Sequence, residues 1–368
     1  MTFSKYLILL LLIFNFSLVI AQDKIPAQYN FYSNSYSTNL KSNLEKRINK
    51  NQKGEESTRI IQDYIDKNKE IILPNKEIYI SKKGLFLKDN STIIFQKYTK
   101  LVMESNDLER YGVINVINVN NVKIINPNII GDRKSHTGNK GEWGHGINIL
   151  GSKNVLISNF NISNCWGDGI YIGRDNNKFS SNITLKNGIV YNNRRNGISI
   201  TSVDGLLMNN ITSAFNQGTS PQYGIDFEAN DSRDEMNNIK LNNIITYYNK
   251  SGGMMISFDR LNAKGSKTVT KEVNFEVTNF KDIGSKNTGL LIAQITSGFK
   301  NIKGGITFNG LEVEGNLKPI QIRRNEWEHF YIKLNDVNIK NPLNKNAHNK
   351  ELLRVTKDRK NIIINLAK

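Results

Sequence analysis

Asp226 and Glu228 are the acids of this chain whose spacing could do chemistry. They stand two residues apart in Tyr223-Gly224-Ile225-Asp226-Phe227-Glu228, a stretch that alternates apolar and polar. On a β-strand both carboxyls would leave the same face, with β-carbons about 6.5–7 Å apart. That is near the lower edge of the ~6.5–9.5 Å expected for an inverting glycosidase, where one carboxyl protonates the leaving oxygen and the other activates water. Crowding two acids also raises the pKa of one, as a general acid requires. Asp168 is a third candidate, provided that its side chain leans inward. Tyr223 offers another chemistry, acting as the base of a β-elimination while an arginine neutralises a uronate carboxylate. Asp226, Glu228 and Asp231 together are the oxygen-rich set that calcium prefers, although their spacing matches no EF-hand. No other cofactor is expected.

Position along the chain comes from a repeat. Gly146, Gly169, Gly197, Gly224, Gly253 and Gly289 each open a short alternating segment, spaced by 23, 28, 27, 29 and 36 residues. The residues one and three past each glycine point inward, as in Ile147/Ile149, Ile170/Ile172, Ile198/Ile200 and Ile225/Phe227. Those two and four past it point outward and stack Asn148, Tyr171, Ser199 with Thr201, and Asp226 with Glu228, before the plainer Met255 and Leu291. Turns beside this strip add Asp132, Arg133, His136, Trp143, His145, Trp166, Asp168, Arg194, Arg195 and Asn196. Four coils at ~4.8 Å make a groove of roughly 15–20 Å, enough for a few sugar rings. The tryptophans suit sugar stacking or loop packing, and the arginines suit carboxylate recognition or bonds to turn carbonyls.

A second series keeps step. Asn126, Asn159, Asn187, Asn210, Asn243 and Asn279 each follow a short apolar strand. An asparagine tolerates positive φ in a tight bend, and stacked amides bond to one another. A coil that cannot bury its own apolar face needs neighbours above and below, so the two registers predict a solenoid. The expected architecture is all-β, a single-stranded right-handed parallel β-helix with a short N-terminal capping helix over Ser57 to Ile65.

The ends divide the chain further. Residues 1–21 read as a secretory signal peptide, with Lys5 ahead of an apolar run and Ala21 at the cleavage site. Residues 22–56 form a polar leader expected to be poorly ordered, and residues 57–368 the β-helix domain with its caps. Leu352 to Thr356 and Asn361 to Leu366 read as closing strands. Cys165, the only cysteine, lies beside Trp166 and is expected to be packed rather than reactive. Formal net charge is +17, which favours polyanions; export and the lack of a recognised motif argue against nucleic acid. The expected product is a secreted monomer without stable membrane insertion.

The two-strand coil, the asparagine series and the segments Gly131-Asp132-Arg133, Trp143-Gly144-His145-Gly146, Trp166-Gly167-Asp168-Gly169 and Gly224-Ile225-Asp226 resemble the pectate-lyase-like superfamily of right-handed parallel β-helix proteins. The resemblance spans roughly residues 70 to 340. That superfamily holds polysaccharide hydrolases, lyases, epimerases and phage tailspikes, so it implies a fold and a substrate class but not a reaction. Locally, Tyr223 to Glu228 is similar to the Tyr-Gly-Phe-Asp-Pro-His segment of mannuronan epimerases. Tyr223 and Asp226 match, whereas Glu228 replaces the histidine that the family uses in proton transfer. The expected function is therefore a carbohydrate-active enzyme cleaving a polysaccharide, preferably an acidic one, by inverting hydrolysis. Elimination or epimerisation of a uronate polymer is the alternative, and a non-catalytic glycan-binding or adhesion β-helix the third reading.

Overall fold

The computed structural model describes residues 24–33, 40–258, 260–261, 271–293, 302–323, 330–344 and 361–367. The signal segment and the first predicted closing strand lie outside them. Among the described residues the chain winds into a right-handed solenoid of parallel strands. One sheet has nine strands and carries the glycine series; the other has fourteen. Both exist because each turn of chain exposes apolar side chains on one face only, and stacking turns buries them as columns. Ile147, Ile170, Ile198, Ile225, Met254, Leu290 and Ile320 are consecutive register partners and all lie in the core.

The asparagine series forms the predicted line. Asn126, Asn159, Asn187, Asn210, Asn243 and Asn279 take φ between 53° and 56°. Asn159, Asn187, Asn210, Asn243 and Asn279 sit within long strands, such as Lys153–Ser163 and Ser180–Tyr191, and bend them without ending them, while Asn126 falls between Asn120–Ile125 and Asn128–Ile130. Side-chain amides bond Asn159 to Asn126 at 2.9 Å, Asn210 to Asn187 at 2.9 Å and Asn243 to Asn210 at 2.7 Å. A second line was not anticipated: Asn90, Asn121, Asn154, Asn182 and Asn238 also have positive φ, with Gly205 between the last two. Asn121, Asn154, Asn182 and Asn238 each stand directly before an apolar residue, Val122, Val155, Ile183 and Ile239.

Two expectations about the N-terminal region need correction. The helix runs from Gly54 to Ile65, three residues longer than read, with Ile60, Ile61 and Ile65 buried. The described leader is also packed rather than loose. Leu44 and Ile48 join the core. Ser33 exchanges two bonds with the Asn159 amide, at 2.9 and 2.7 Å, and Tyr29 packs beside Tyr247 and Lys281. At the other end Ile362–Leu366 pairs with Phe330–Lys340, as the closing-strand reading requires.

Candidate functional site: a buried acid beneath an arginine and an asparagine

Asp226 lies on the strand Tyr223–Glu228, aligned between Ser199 and Met255 on the outer column of the nine-stranded sheet. Outward direction does not make it exposed, because Asp226 is only 2% accessible. Its Oδ2 accepts a hydrogen bond of 2.9 Å from the Asn196 side chain, and its Oδ1 is buried without a partner. Burial pushes this carboxyl up to about 8, helped by the Glu228 carboxylate and opposed by Arg195. Glu228, two residues on and aligned with Ser257, is half-buried.

Asp168 does lean inward. It is fully buried, bound by the Arg195 guanidinium at 2.9 Å and by the Asn196 backbone N–H at 2.9 Å. Arg195 also lies 3.4 Å from Glu142 and 3.4 Å from the Ser199 hydroxyl. Burial works against the Arg195 charge, yet Asp168, Asp226 and Glu142 outweigh it and hold the guanidinium more firmly protonated than usual. His145 accepts the Asp168 backbone N–H through Nδ1 at 3.0 Å and stacks on Tyr171. Burial lowers its pKa to about 4, so the imidazole is neutral at pH 7. The Tyr171 hydroxyl is 3.1 Å from Thr201.

Asn196 is the junction of this network. Besides Asp226 and Asp168, it donates to Ser199 at 3.0 Å and accepts the Tyr223 N–H at 2.8 Å. It thereby links three successive coils. Glu142 was not singled out from sequence, and Asn196 and Thr201 were placed along the strip without a role. For Asn196 a signal existed: it occupies the turn position that Asp168 holds one coil earlier and Tyr223 one coil later.

Other predicted site residues gather elsewhere. Asp132 is buried and takes bonds from the Tyr111 hydroxyl, from Asn106 at 2.8 Å and from His136 Nδ1 at 2.8 Å. His136 stacks on one face of Trp166 with centroids 3.8 Å apart, while Arg194 covers Trp166 at 3.7 Å. Trp166 is therefore committed to packing rather than offered to a sugar. Arg194 donates to the Gly141 carbonyl at 2.9 Å, and Arg133 to the Asn192 carbonyl at 2.6 Å, so both serve turns. Trp143 carries Arg110 over its ring. Tyr223 packs with Leu291, Ala293 and Met255, and burial raises its hydroxyl to about 12, although Arg323 opposes the shift.

Asp231 pairs with Arg174 at 2.7 Å and Arg233 at 2.6 Å, and it forms no metal-holding group with Asp226 and Glu228. Both Asp231 oxygens are thus engaged by arginine. Cys165 is buried, which pushes its thiol up and keeps it unreactive.

The geometry can be set beside known proteins. Among solved structures, a polygalacturonase from Erwinia carotovora ssp. carotovora superposes with a TM-score of 0.52 at 15% identity, over 79% of this chain and 91% of that one. The A-module of mannuronan C-5 epimerase AlgE6 from Azotobacter vinelandii gives 0.52 at 14%, over 84% and 95%. An endo-xylogalacturonan hydrolase from Aspergillus tubingensis gives 0.51 at 15%, over 74% and 77%. At such identities the likeness is one of fold. Two curated proteins of Bacillus subtilis strain 168 match in sequence. The SPbeta prophage-derived uncharacterized protein YorA is 31% identical over 163 residues, and the uncharacterized protein YclG 30% over 161. Each alignment covers 40% of this chain but only 28% of the relative's length. A family model described as a right handed beta helix region matches residues 60–245, half of the sequence. The chain thus belongs to the right-handed β-helix region family.

Proposed function

We propose that this protein is an exported carbohydrate-active enzyme that cleaves a polysaccharide by inverting hydrolysis. Asp226 is the general acid in this reading and Glu228 the base that activates water. The observation that carries it is the Asp226 carboxyl, raised to about 8, with a buried and partnerless Oδ1, two residues from a second acid. A carboxyl protonated at pH 7 can give its proton to a glycosidic oxygen, and Glu228 beside it can take one from water. Asp168 then acts by fixing Arg195, since both of its oxygens are already engaged. The polysaccharide fold neighbours and the resemblance of Tyr223 to Glu228 support the substrate class.

Elimination through Tyr223 draws less support, because a phenol raised to about 12 in an apolar cluster is a poorly ionised base. The test is incubation with a panel of acidic and neutral polysaccharides, reading reducing ends, unsaturated uronate and product anomer. New reducing ends of inverted configuration support the reading, and an unsaturated product overturns it. With a net charge of +17 the preferred polymer is anionic, so its binding should weaken steeply as salt rises.

A further inference from the structure

Asp226 and Asp168 are both closed off from solvent, and one contact beside them is poorly made. Arg195 gives Nη1 to Asp168 at 2.9 Å, but its Nε is buried without a hydrogen-bond partner among the described residues. The Glu142 carboxylate lies 3.4 Å from that Nε and is too poorly aimed to accept its proton. An arginine already balanced by one carboxylate thus keeps a second beside it with no bond formed. A buried donor left unmade costs free energy that a better-placed acceptor recovers. Glu142 has room to yield the place. Its main chain is fixed, since the Gly141 carbonyl before it takes Arg194 at 2.9 Å and the strand Trp143–Leu150 follows it. Its side chain, in contrast, is 33% accessible.

We propose that Glu142 is an internal stand-in for a sugar carboxylate on Arg195, and that a uronate unit of the polysaccharide takes its place when the glutamate side chain swings out. The inference rests on the Asp226 strip being where the polysaccharide binds, and adds which unit is recognised and what competes for it. A guanidinium holds a planar carboxylate through two parallel N–H bonds. Asp168 and Ser199 meet Arg195 only through Nη1, so the edge made by Nε and Nη2 is the one left open for such a pair. Ser199 is the register partner of Asp226, which sets this place about one coil, ~4.8 Å, from the acid. A neutral sugar brings no charge to exchange for Glu142, and leaves the Nε unpaired.

Arg195 cannot be removed without stranding Asp168, so the test is made on Glu142. Glu142→Gln and Glu142→Ala are built in an Asp226→Asn background, which prevents turnover. Glu109→Gln in the same background is the control, because it removes an exposed acid whose carbonyl bonds to the neighbouring Trp143 N–H. Each is titrated calorimetrically with trimers of galacturonate, mannuronate and glucuronate, and with their methyl esters, which lack only the carboxylate charge. Both Glu142 variants should bind a uronate trimer about tenfold more tightly than the Asp226→Asn chain, with no gain for its ester. Glu109→Gln should change neither. Unchanged or weaker uronate binding in the Glu142 variants, an equal gain for the esters, an equal gain in Glu109→Gln, or no uronate bound at all would overturn the proposal. Hydrolysis is read separately in the product assay of the parent chain. A neutral polysaccharide cut there would leave the Asp226 mechanism standing while this inference fell.

Discussion

Asn196 donates its side-chain amide to Oδ2 of Asp226 at 2.9 Å, which leaves Oδ1 of that carboxyl buried and unpartnered. The bond sorts the two oxygens: one is tied down by a neighbouring coil, and the other is left to carry the proton. A carboxyl is expensive to ionise in such a place, which is why it stays protonated near neutrality.

Asp226→Asn and Glu228→Gln should each lower turnover by orders of magnitude with the fold intact. In Asp226→Asn the carbonyl of the new amide still accepts the Asn196 bond, so the network survives while the transferable proton is lost. Initial rates from reducing ends, beside circular dichroism, decide it; parental rates in both variants would remove the carboxyl pair from the mechanism.

Activity should fall as pH rises through about 8, where Asp226 releases its proton, and Asp226→Asn should change stability with a definite sign. The folded-state pKa is raised, so between about 4 and 8 the folded chain keeps a proton that the unfolded chain has lost. The contribution of this group is full below pH 4 and declines toward pH 8. His145, lowered to about 4, acts oppositely, losing stability as pH falls from about 6.5. Comparing denaturant midpoints of parent and Asp226→Asn isolates the first group: the variant should gain on the parent as pH rises from 5 to 8.

Arg195→Ala should destabilise the fold by about 3–5 kcal/mol, because it strands the fully buried Asp168 carboxylate without its cation. Adding Asp168→Asn should recover part of that loss. Urea melts of the two variants are the measurement, and a single variant as stable as the parent would mean the pair is not coupled to folding.

Asn210→Ala should cost about 2–4 kcal/mol, by losing amide bonds to Asn187 and Asn243 and placing alanine at φ 55°. Asn210→Gly keeps the backbone at ease and should cost less. If alanine and glycine proved equal in thermal melts, the bend would not depend on left-handed backbone.

The sequence by itself determined the solenoid, because both of its periods are local. Ile147, Ile170, Ile198 and Ile225 repeat one apolar alternation, and Asn126 to Asn279 repeat one bend, so register follows from counting. It also placed Asp226 and Glu228 on one face, since two residues along a strand fix that geometry. Only the tertiary structure decided accessibility and partnership, which depend on long turn side chains whose rotamers the spacing does not set. Arg195 closed over Asp168, and Asn196 reached Asp226, so the outward column became a buried one. Arg133 and Arg194 found turn carbonyls within reach and bonded those, while Trp166 was enclosed by His136 and Arg194. The leader was decided in the same way: its polar composition argued for disorder, but Ser33 met a ladder amide with an unused donor and acceptor, and those two bonds hold it against the coil.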